Sequence, residues 1–261
     1  MTTTVNGTEI SWEQRGDGPR EILLLHGWGA DASLMRPVAE KLADCGRFTI
    51  PEFPGHGRSG KPPEPWGVPE YAEALLGLMD ELRIPSCHVI AHSFGARVAA
   101  WIAANQPERF RRIILTGAAG IPPKQTEEKK KRAAQYQRIK RIGEAMRKTG
   151  VLSPLADGLQ KKAREKYGSR DYNALDEEMR QTFVRVVNQD LTPLYSRIPR
   201  SVLLIWGTED TETPLWMGRE MERLIPDAGL VELEGGTHFA YLEQLDRFCL
   251  IARQFLTEEQ A

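Results

Sequence analysis

Short apolar runs recur along this chain, and segments with helical spacing separate them. An apolar run of only three to five residues is too short for a helix and is typical of a strand that is buried on both faces. Strands that alternate with helices predict right-handed crossovers, and therefore a mostly parallel sheet with helices on both faces. The runs are Ile22–Leu25, Phe48–Ile50, His88–Ala91, Ile113–Thr116, Val202–Trp206 and Leu230–Leu233. The helical segments are Leu34–Ala43, Pro69–Leu82, Phe94–Asn105, Pro214–Leu224 and Tyr241–Leu256.

The start of the chain predicts a different kind of strand pair. Residues 2–15 alternate around Asn6-Gly7, and an Asn-Gly pair between two such stretches is a strong signal for a hairpin. We therefore expect two antiparallel strands before the first parallel one. Because open parallel sheets bind ligands at the carboxyl ends of their strands, functional residues are expected directly after the apolar runs.

One stretch interrupts the alternation of strands and helices. Between residues 122 and 193 no apolar run resembles a strand, whereas apolar side chains recur at a helical period. This pattern predicts a core of residues 1–121 and 194–261 and a helical cap, or lid, of residues 122–193 over the carboxyl end of the sheet. The periodic side chains are Tyr136, Ile139, Ile142 and Met146 in one stretch and Leu175, Met179, Phe183 and Val187 in the other. The candidates for the wall of a substrate pocket are Tyr136, Met146, Met179 and Phe183.

Ser93 lies where a strand pattern ends and a helical pattern begins. The small residues Ala91 and Gly95, two positions before and after it, suit a sharp strand-to-helix turn, because larger side chains would clash there. The N-terminus of the following helix also stabilises negative charge. Both features are typical of a serine nucleophile that forms an oxyanion. The same position also suits a serine that only caps the helix.

A serine nucleophile needs a base, and the base needs an acid that orients it. His238 follows the last apolar run through a Gly-Gly turn and precedes a helix, so it is predicted to lie near Ser93 at the carboxyl edge of the sheet. His88, inside a strand run, is interpreted as structural. His92 is interpreted in the same way, with a side chain that points away from that of the serine.

Asp210 is the predicted acid, because it follows the fifth apolar run and so lies at another strand end. Glu209 and Glu212 in the same loop are alternatives, and an exposed loop acid without a role is a third. The chain order Ser93, Asp210, His238, with each residue at a strand end, favours a catalytic triad.

Two backbone N–H groups are expected to form an oxyanion hole, which usually supplies the largest electrostatic term in acyl transfer. One is the N–H of Phe94, directly after the serine. The other is the N–H of Trp28 in the turn at residues 26–29, whose glycines allow that group to point inward. A plain glycine-rich turn is the alternative interpretation of residues 26–29. The third glycine-rich turn, at residues 52–59, is interpreted as structural and is given no catalytic role.

Composition and charge exclude several function classes. The chain has 35 Lys and Arg against 36 Asp and Glu, a net charge of −1, so its overall charge indicates neither nucleic acid nor a membrane surface as a partner. Its three cysteines are far apart, which argues against a disulfide framework. The one His-x-x-x-His spacing, His88 to His92, lies on a predicted strand, where four residues span about 13 Å, too far for one metal ion. No phosphate loop is present either, so neither a metal site nor a cofactor is expected. The start of the chain lacks the features of a signal peptide, and we expect a cytoplasmic protein.

Taken together, the motifs resemble those of the α/β-hydrolase superfamily over essentially the whole chain. The matching stretches are H-G-W-G at 26–29, F-P-G-H-G-R-S at 53–59, A-H-S-F-G at 91–95, W-G-T-E-D at 206–210 and G-G-T-H-F at 235–239. The resemblance implies a mostly parallel eight-stranded sheet with a helical cap inserted after the sixth strand. The site residues that it implies are the nucleophile Ser93, the acid Asp210, the base His238 and the oxyanion-hole residues Trp28 and Phe94.

The chain departs from the family pattern at two positions, Ala91 in place of the first glycine of the serine turn and Glu52 where many relatives carry aspartate. We expect little effect from either. Because the nucleophile is serine rather than aspartate, the dehalogenase and epoxide-hydrolase branches are disfavoured. The stretch H-G-W-G resembles methyl esterases that act on carrier-linked pimeloyl esters. The region around His238 lacks the tryptophan-rich sequence of carbon–carbon bond hydrolases that act on ring-cleavage products.

The expected function is hydrolysis of a small-molecule carboxylic ester through an acyl-enzyme on Ser93, without a cofactor. A thioesterase, an amidase or a carrier-linked methyl esterase would use the same residues, and a lyase or a non-catalytic ligand-binding protein is a further alternative. Residues 124–170 carry 15 Lys and Arg against five acids, a net of +10 that leaves −11 for the rest of the chain. This segment could guide an anionic substrate or an acidic carrier protein to the site, or it could simply be the solvated face of a helix.

Overall fold

The computed structural model describes most of the chain. The described residues are 1–123, 131, 134–136, 138, 139, 141, 142, 145, 146, 172, 173 and 175–258. The chain divides into two compact units, one of residues 1–122 and 184–261 and one of residues 123–183. The cap predicted for residues 122–193 stays a prediction.

The first unit contains an open sheet of eight strands. They are β1 (Thr2–Val5), β2 (Thr8–Arg15), β3 (Arg20–Leu25), β4 (Gly46–Pro51), β5 (Cys87–His92), β6 (Phe110–Thr116), β7 (Val202–Gly207) and β8 (Ala228–Leu233). Their order is β1-β2-β4-β3-β5-β6-β7-β8. The pairings of β2 with β1 and β4 are antiparallel, and the other five pairings are parallel. The predicted eight-stranded, mostly parallel sheet is confirmed, and each apolar run lies within one strand.

Helices cover both faces of this sheet. Those with described bounds are α1 (Arg36–Lys41), α2 (Val68–Glu81), α3 (Phe94–Asn105), α4 (Glu177–Asn188), α5 (Thr192–Tyr195), α6 (Leu215–Leu224), α7 (Ala240–Glu243) and α8 (Leu245–Thr257). Side chains of α2, α3 and α6 share an apolar cluster with Val89 of β5, whereas those of α1, α7 and α8 share a second cluster with Ile90. Because successive side chains of a strand point to opposite faces, the two clusters lie on opposite sides of the sheet.

One predicted helix is divided in two. The periodicity predicts a continuous helix over Tyr241–Leu256, but the chain breaks at Gln244, where φ is −120° and ψ is 47°. The side-chain amide of Gln244 donates a hydrogen bond of 2.8 Å to the backbone carbonyl of Glu234. Neither glycine nor proline marks this break, and a tertiary contact of this kind leaves no local signal in the sequence.

The parallel arrangement brings the carboxyl ends of β5, β7 and β8 to one edge of the sheet. Ser93 directly follows β5, and Asp210 lies three residues after β7. His238 lies five residues after β8. The fold therefore places the three predicted site residues at the edge where open parallel sheets bind their ligands.

Candidate active site

Ser93 occupies a strained turn between β5 and α3. Its φ of 50° and ψ of −106° lie outside the regions that side chains prefer, and a residue held in this way stores about 1–3 kcal/mol of strain. Two backbone hydrogen bonds hold it: its N–H donates to the carbonyl of Thr116 at 3.1 Å, and its carbonyl accepts from the N–H of Ala119 at 3.3 Å. Its side chain makes no capping hydrogen bond to the start of α3, so the structure gives no support to the helix-capping interpretation.

Small residues around the serine are required because backbone atoms lie against it. A Cβ added to Gly95 would come within 2.7 Å of the carbonyl oxygen of Leu25, and one added to Gly27 would come within 3.4 Å of the Cβ of Ser93. Ala91, two residues before the serine, is completely buried in β5. The turn at Ser93 and the loop that begins at His26 are therefore packed directly on each other.

His238 and Asp210 form a hydrogen-bonded pair. The Nδ1 of His238 lies 2.8 Å from the Oδ2 of Asp210, and the carboxylate is fully buried while the imidazole keeps 14% of its surface exposed. Because an ionised carboxylate only accepts hydrogen bonds, the proton of this bond is on Nδ1, which leaves Nε2 as the basic nitrogen. Glu209 and Glu212, the alternative acids, are both exposed.

The carboxylate of Asp210 accepts four hydrogen bonds. Its Oδ1 accepts from the backbone N–H groups of Glu212 and Thr213, each at 2.9 Å. Its Oδ2 accepts from Thr213 Oγ1 at 2.8 Å in addition to His238. Burial alone would raise the pKa of Asp210, but the hydrogen bonds from His238 and Thr213 and the charge of His238 lower it below the usual value. Asp210 is thus held as the anion that orients an imidazole.

Thr213 is a site residue that the sequence interpretation missed. Its hydroxyl is buried between Asp210 and His238, 2.8 Å from the carboxylate and 3.3 Å from Nδ1. Trp206, which is fully buried in β7, fixes this loop by donating from its indole N–H to the carbonyl of Thr213 at 2.7 Å. The available signal was the spacing Asp-x-x-Thr, since aspartate side chains commonly accept from backbone N–H groups two or three residues on.

Hydrogen bonds join the loop that carries Asp210 to the loop that carries His238. The N–H of Glu209 donates to the carbonyl of Gly236 at 2.9 Å, and the N–H of Gly235 donates to the hydroxyl of Thr208 at 2.8 Å. These bonds hold the two loops together without involving the side chains of Asp210 and His238.

His92 contacts the backbone of His238. Its Nε2 lies 3.0 Å from the backbone carbonyl of His238, so this nitrogen carries the proton and donates it. The two imidazole rings lie 4.7 Å apart, centre to centre. Burial and the neighbouring His238 lower the pKa of His92 to about 3, so its ring is neutral at pH 7. The sequence interpretation expected a structural role for His92 but did not predict this contact.

Ser93 and His238 contact the same short segment of chain. Thr116 accepts the hydrogen bond from the Ser93 N–H, and the next residue, Gly117, lies against the imidazole of His238. A Cβ added to Gly117 would come within 3.2 Å of His238 Nδ1. Together with the hydrogen bond between His238 and Asp210, this segment brings the three predicted residues into one cluster.

The predicted oxyanion-hole residues are neighbours. The rings of Trp28 and Phe94 meet edge to face with centres 5.2 Å apart, and the N–H of Gly95 donates to the carbonyl of His26 at 3.1 Å. The first N–H groups of a helix have no partner within that helix, which suits Phe94, the first residue of α3, to donate to an anion.

Buried contacts hold the loop at residues 26–29 against the turn at residues 52–59. His26 donates from Nδ1 to the carbonyl of Gly27 at 2.8 Å and accepts at Nε2 from the N–H of Phe53 at 3.0 Å. Within the turn, the buried Glu52 accepts from the N–H of Arg58 at 2.8 Å. These contacts agree with a structural role for residues 52–59.

The remaining predicted residues have no established place in a site. Tyr136, Met146, Met179 and Phe183 belong to the unit of residues 123–183, and their assignment to a pocket wall stays a prediction. Within the described part of the chain, no group of three or more His, Cys, Asp or Glu side chains could hold a metal ion. The same residues include no helix with the length and apolar character needed to cross a membrane.

Comparisons with known proteins extend over nearly the whole chain. A model of the Alpha/beta hydrolase family matches residues 22–249. The chain is 26% identical over 255 residues to a pimeloyl-[acyl-carrier protein] methyl ester esterase of Neisseria meningitidis, covering 92% of this chain and 94% of that protein. It is 27% identical over 265 residues to a 2-hydroxymuconate semialdehyde hydrolase of Pseudomonas putida, with coverages of 98% and 93%. The structure of an enol-lactonase from Burkholderia xenovorans LB400 has the same fold, with a TM-score of 0.75, 24% identity and coverages of 99% and 100%.

Proposed function

Because the chain belongs to the alpha/beta hydrolase family, we propose that it hydrolyses a carboxylic ester through an acyl-enzyme on Ser93. One observation carries the proposal: a serine with a φ of 50° shares one edge of the sheet with an imidazole that a buried carboxylate holds at 2.8 Å. A residue that only caps a helix does not need this strain. The strain exposes a nucleophile, and the hydrogen bond that the imidazole donates to the carboxylate orients the base that activates the serine.

In the proposed reaction, His238 moves the protons. Its Nε2 takes the proton of Ser93 Oγ as the oxygen attacks the ester carbonyl, and the resulting imidazolium is stabilised by Asp210. His238 then gives this proton to the leaving alkoxide, which departs as the alcohol. Water, activated by the same nitrogen, attacks the acyl-enzyme and releases the carboxylic acid with Ser93 restored.

The negative charge of the tetrahedral intermediate falls on the former carbonyl oxygen. We assign its stabilisation to the backbone N–H groups of Trp28 and Phe94, which lie on two segments packed against each other around Gly95. Donors fixed in advance by the fold need no rearrangement when the charge develops, and removing one typically slows such reactions about 10²–10³-fold.

The substrate class has two candidates. A small-molecule ester is the simpler one, with Tyr136, Met146, Met179 and Phe183 as candidate pocket residues. The second is a methyl ester of a carrier-linked acyl chain, which is supported by the similarity to the Neisseria protein and by the net charge of +10 of residues 124–170. A basic segment would attract an acidic carrier protein. A thioester or an amide would require the same catalytic residues.

Hydrolysis of p-nitrophenyl esters from acetate to decanoate tests the proposal. The variants are the wild type, Ser93→Ala and the matched control Ser33→Ala, which removes an exposed hydroxyl from another segment. Circular dichroism of each variant establishes that it is folded. We expect Ser93→Ala to lose about 10⁴-fold or more in kcat while Ser33→Ala keeps the activity of the wild type. The chain-length profile then reports the size of the acyl pocket.

Further substrates separate the alternatives. A pimeloyl-carrier methyl ester that is turned over much faster than the free methyl ester would favour the carrier-linked reaction. Equal hydrolysis by the wild type and by Ser93→Ala would contradict the assignment of the nucleophile. Binding of the esters without turnover of any ester, thioester or amide would favour a ligand-binding protein.

A further inference from the structure

Four arginines meet at the edge of the sheet opposite to Ser93. Arg20 begins β3, Arg111 and Arg112 lie near the start of β6, and Arg200 lies two residues before β7. Because β3, β5, β6 and β7 are adjacent and parallel, their amino ends lie side by side. The four side chains line one surface cavity of about 310 Å³, which His88 of β5 and the end of α8 complete.

Among the described residues, the lining of this cavity carries more positive than negative charge. Glu258 is the one carboxylate among the described residues that line it. Arg200 donates to the carbonyl of Pro107 at 2.8 Å, and Arg111 donates to the hydroxyl of Ser86 at 3.1 Å. These acceptors are neutral, so they do not offset the positive charge of either guanidinium. Each guanidinium also keeps further N–H donors beyond the one used in these bonds.

Arg112 has a structural task in addition. It donates to the carbonyls of Phe255 and Glu258, at 2.6 and 2.8 Å, and so binds the C-terminal end of α8. Its ion pair with the carboxylate of Glu258 is longer, at 3.5 Å. The guanidinium therefore neutralises a helix end more than it neutralises an acid.

His88 is the one imidazole among the described residues that line this cavity. The residue is only 8% exposed, and its Nδ1 has no hydrogen-bond partner within the described part of the chain. Burial, together with Arg111, Arg20 and Arg112, lowers the pKa of His88 to about 4, so the ring is neutral at pH 7. A neutral imidazole adds no charge of its own, so the positive charge of the lining comes from the four arginines.

We propose that this cavity, lined by Arg20, His88, Arg111, Arg112, Arg200 and Glu258, binds a small phosphate-bearing anion. Guanidinium groups match phosphate oxygens in fork-shaped, charge-assisted pairs, and four of them suit a ligand with two or more negative charges. The chain outside residues 124–170 is acidic, with a net charge of −11. Four arginines around one described carboxylate therefore stand out from the rest of that chain. The site is separate from the proposed ester chemistry.

Calorimetric titration of the full chain with inorganic diphosphate, at constant ionic strength, tests the proposal. We expect saturable binding of one diphosphate per chain, in the wild type and equally in Ser93→Ala. The double variant Arg20→Gln/Arg111→Gln removes two charge-assisted contacts and is expected to raise Kd at least ten-fold. The control Arg247→Gln removes one exposed arginine at the other end of α8 and is expected to change Kd less than two-fold.

A variant that strengthens binding guards against misfolding as an explanation. Glu258→Gln removes the cavity's carboxylate and is expected to lower Kd about three-fold, the scale of one solvent-exposed ion pair. Adenosine diphosphate in a parallel titration separates the ligand sources: a Kd equal to that of diphosphate indicates recognition of the phosphates alone, and a lower Kd indicates a nucleotide. The proposal would be overturned if diphosphate binding were not saturable or if the double variant kept the Kd of the wild type. It would also be overturned if sulfate, titrated at the same ionic strength, bound every variant equally.

Discussion

Replacing Thr213 with valine removes one hydroxyl from the candidate site and nearly preserves its shape. The hydroxyl donates to Asp210 Oδ2 at 2.8 Å in a setting where Thr213 is only 6% exposed. A hydrogen bond to a charged acceptor contributes about 1.5–3 kcal/mol, so we expect the free energy of unfolding at pH 7 to fall by about that amount. If the same bond holds Asp210 against His238, kcat falls about ten-fold, which corresponds to about 1.4 kcal/mol, with little change in KM.

The pH dependence of this loss has a definite sign. The pKa of Asp210 is lowered in the folded protein, so its stabilising contribution is present above the unfolded pKa and is lost as the pH falls through the folded pKa. The stability difference between the wild type and Thr213→Val is therefore largest above about pH 4 and shrinks below it. Urea unfolding at pH 7 and at pH 3 measures both values.

Two control variants and a double-mutant cycle make this test specific. Thr213→Ser keeps the hydroxyl and is expected to keep most of the activity, and Thr211→Val changes an exposed threonine in the same loop. In an Asp210→Asn background, Thr213→Val should cause little further loss of kcat, because the two residues act through one contact. Full and additive losses in the double variant, or a loss in Thr211→Val as large as that in Thr213→Val, would refute the reasoning.

Two further predictions concern the packing around the site. Gly95→Ala places a Cβ within 2.7 Å of a backbone oxygen, so we expect the free energy of unfolding to fall by about 1–3 kcal/mol and the rate of ester hydrolysis to fall at least ten-fold. The control is Gly229→Ala, which should match the wild type because no atom lies within 4 Å of the added Cβ. His92→Met removes the donor to the carbonyl of His238, with an expected cost of about 0.5–1.5 kcal/mol and a fall in kcat at nearly constant KM, whereas His92→Gln, which keeps a donor, should recover part of kcat. An unchanged kcat in His92→Met would show that this contact does not position the base.

The strands, and the position of Ser93, Asp210 and His238 at the carboxyl edge of the sheet, could be predicted because their signals are local. A strand buried on both faces must be apolar at successive positions, as in β5, and the turn at Ser93 must be flanked by small residues. The carboxyl-edge rule then indicated loops in which to seek Asp210 and His238. Each of these inferences needs only residues close together in the chain and one general property of parallel sheets.

The supporting contacts could not be predicted, because they join residues far apart in sequence. The bond from His92 to His238 spans 146 residues, and the hydroxyl contact between Thr213 and His238 spans 25. Helix faces show a related limit. A strict spacing of four residues predicts that Val187 continues the apolar face of α4, but Val187 is 40% exposed and Val186 is buried, since 3.6 residues per turn shift the buried face.

The assignment of Ser93 as the nucleophile is tested most directly by labelling the activated serine covalently and locating the adduct. The wild type, Ser93→Ala and His238→Ala would be treated with an organophosphonate ester that modifies activated serines, and the products analysed by intact mass and peptide mapping. We expect one adduct per chain, on Ser93, which is absent from Ser93→Ala and forms far more slowly in His238→Ala. An adduct on another residue, or equal labelling of folded wild type and His238→Ala, would contradict the assignment.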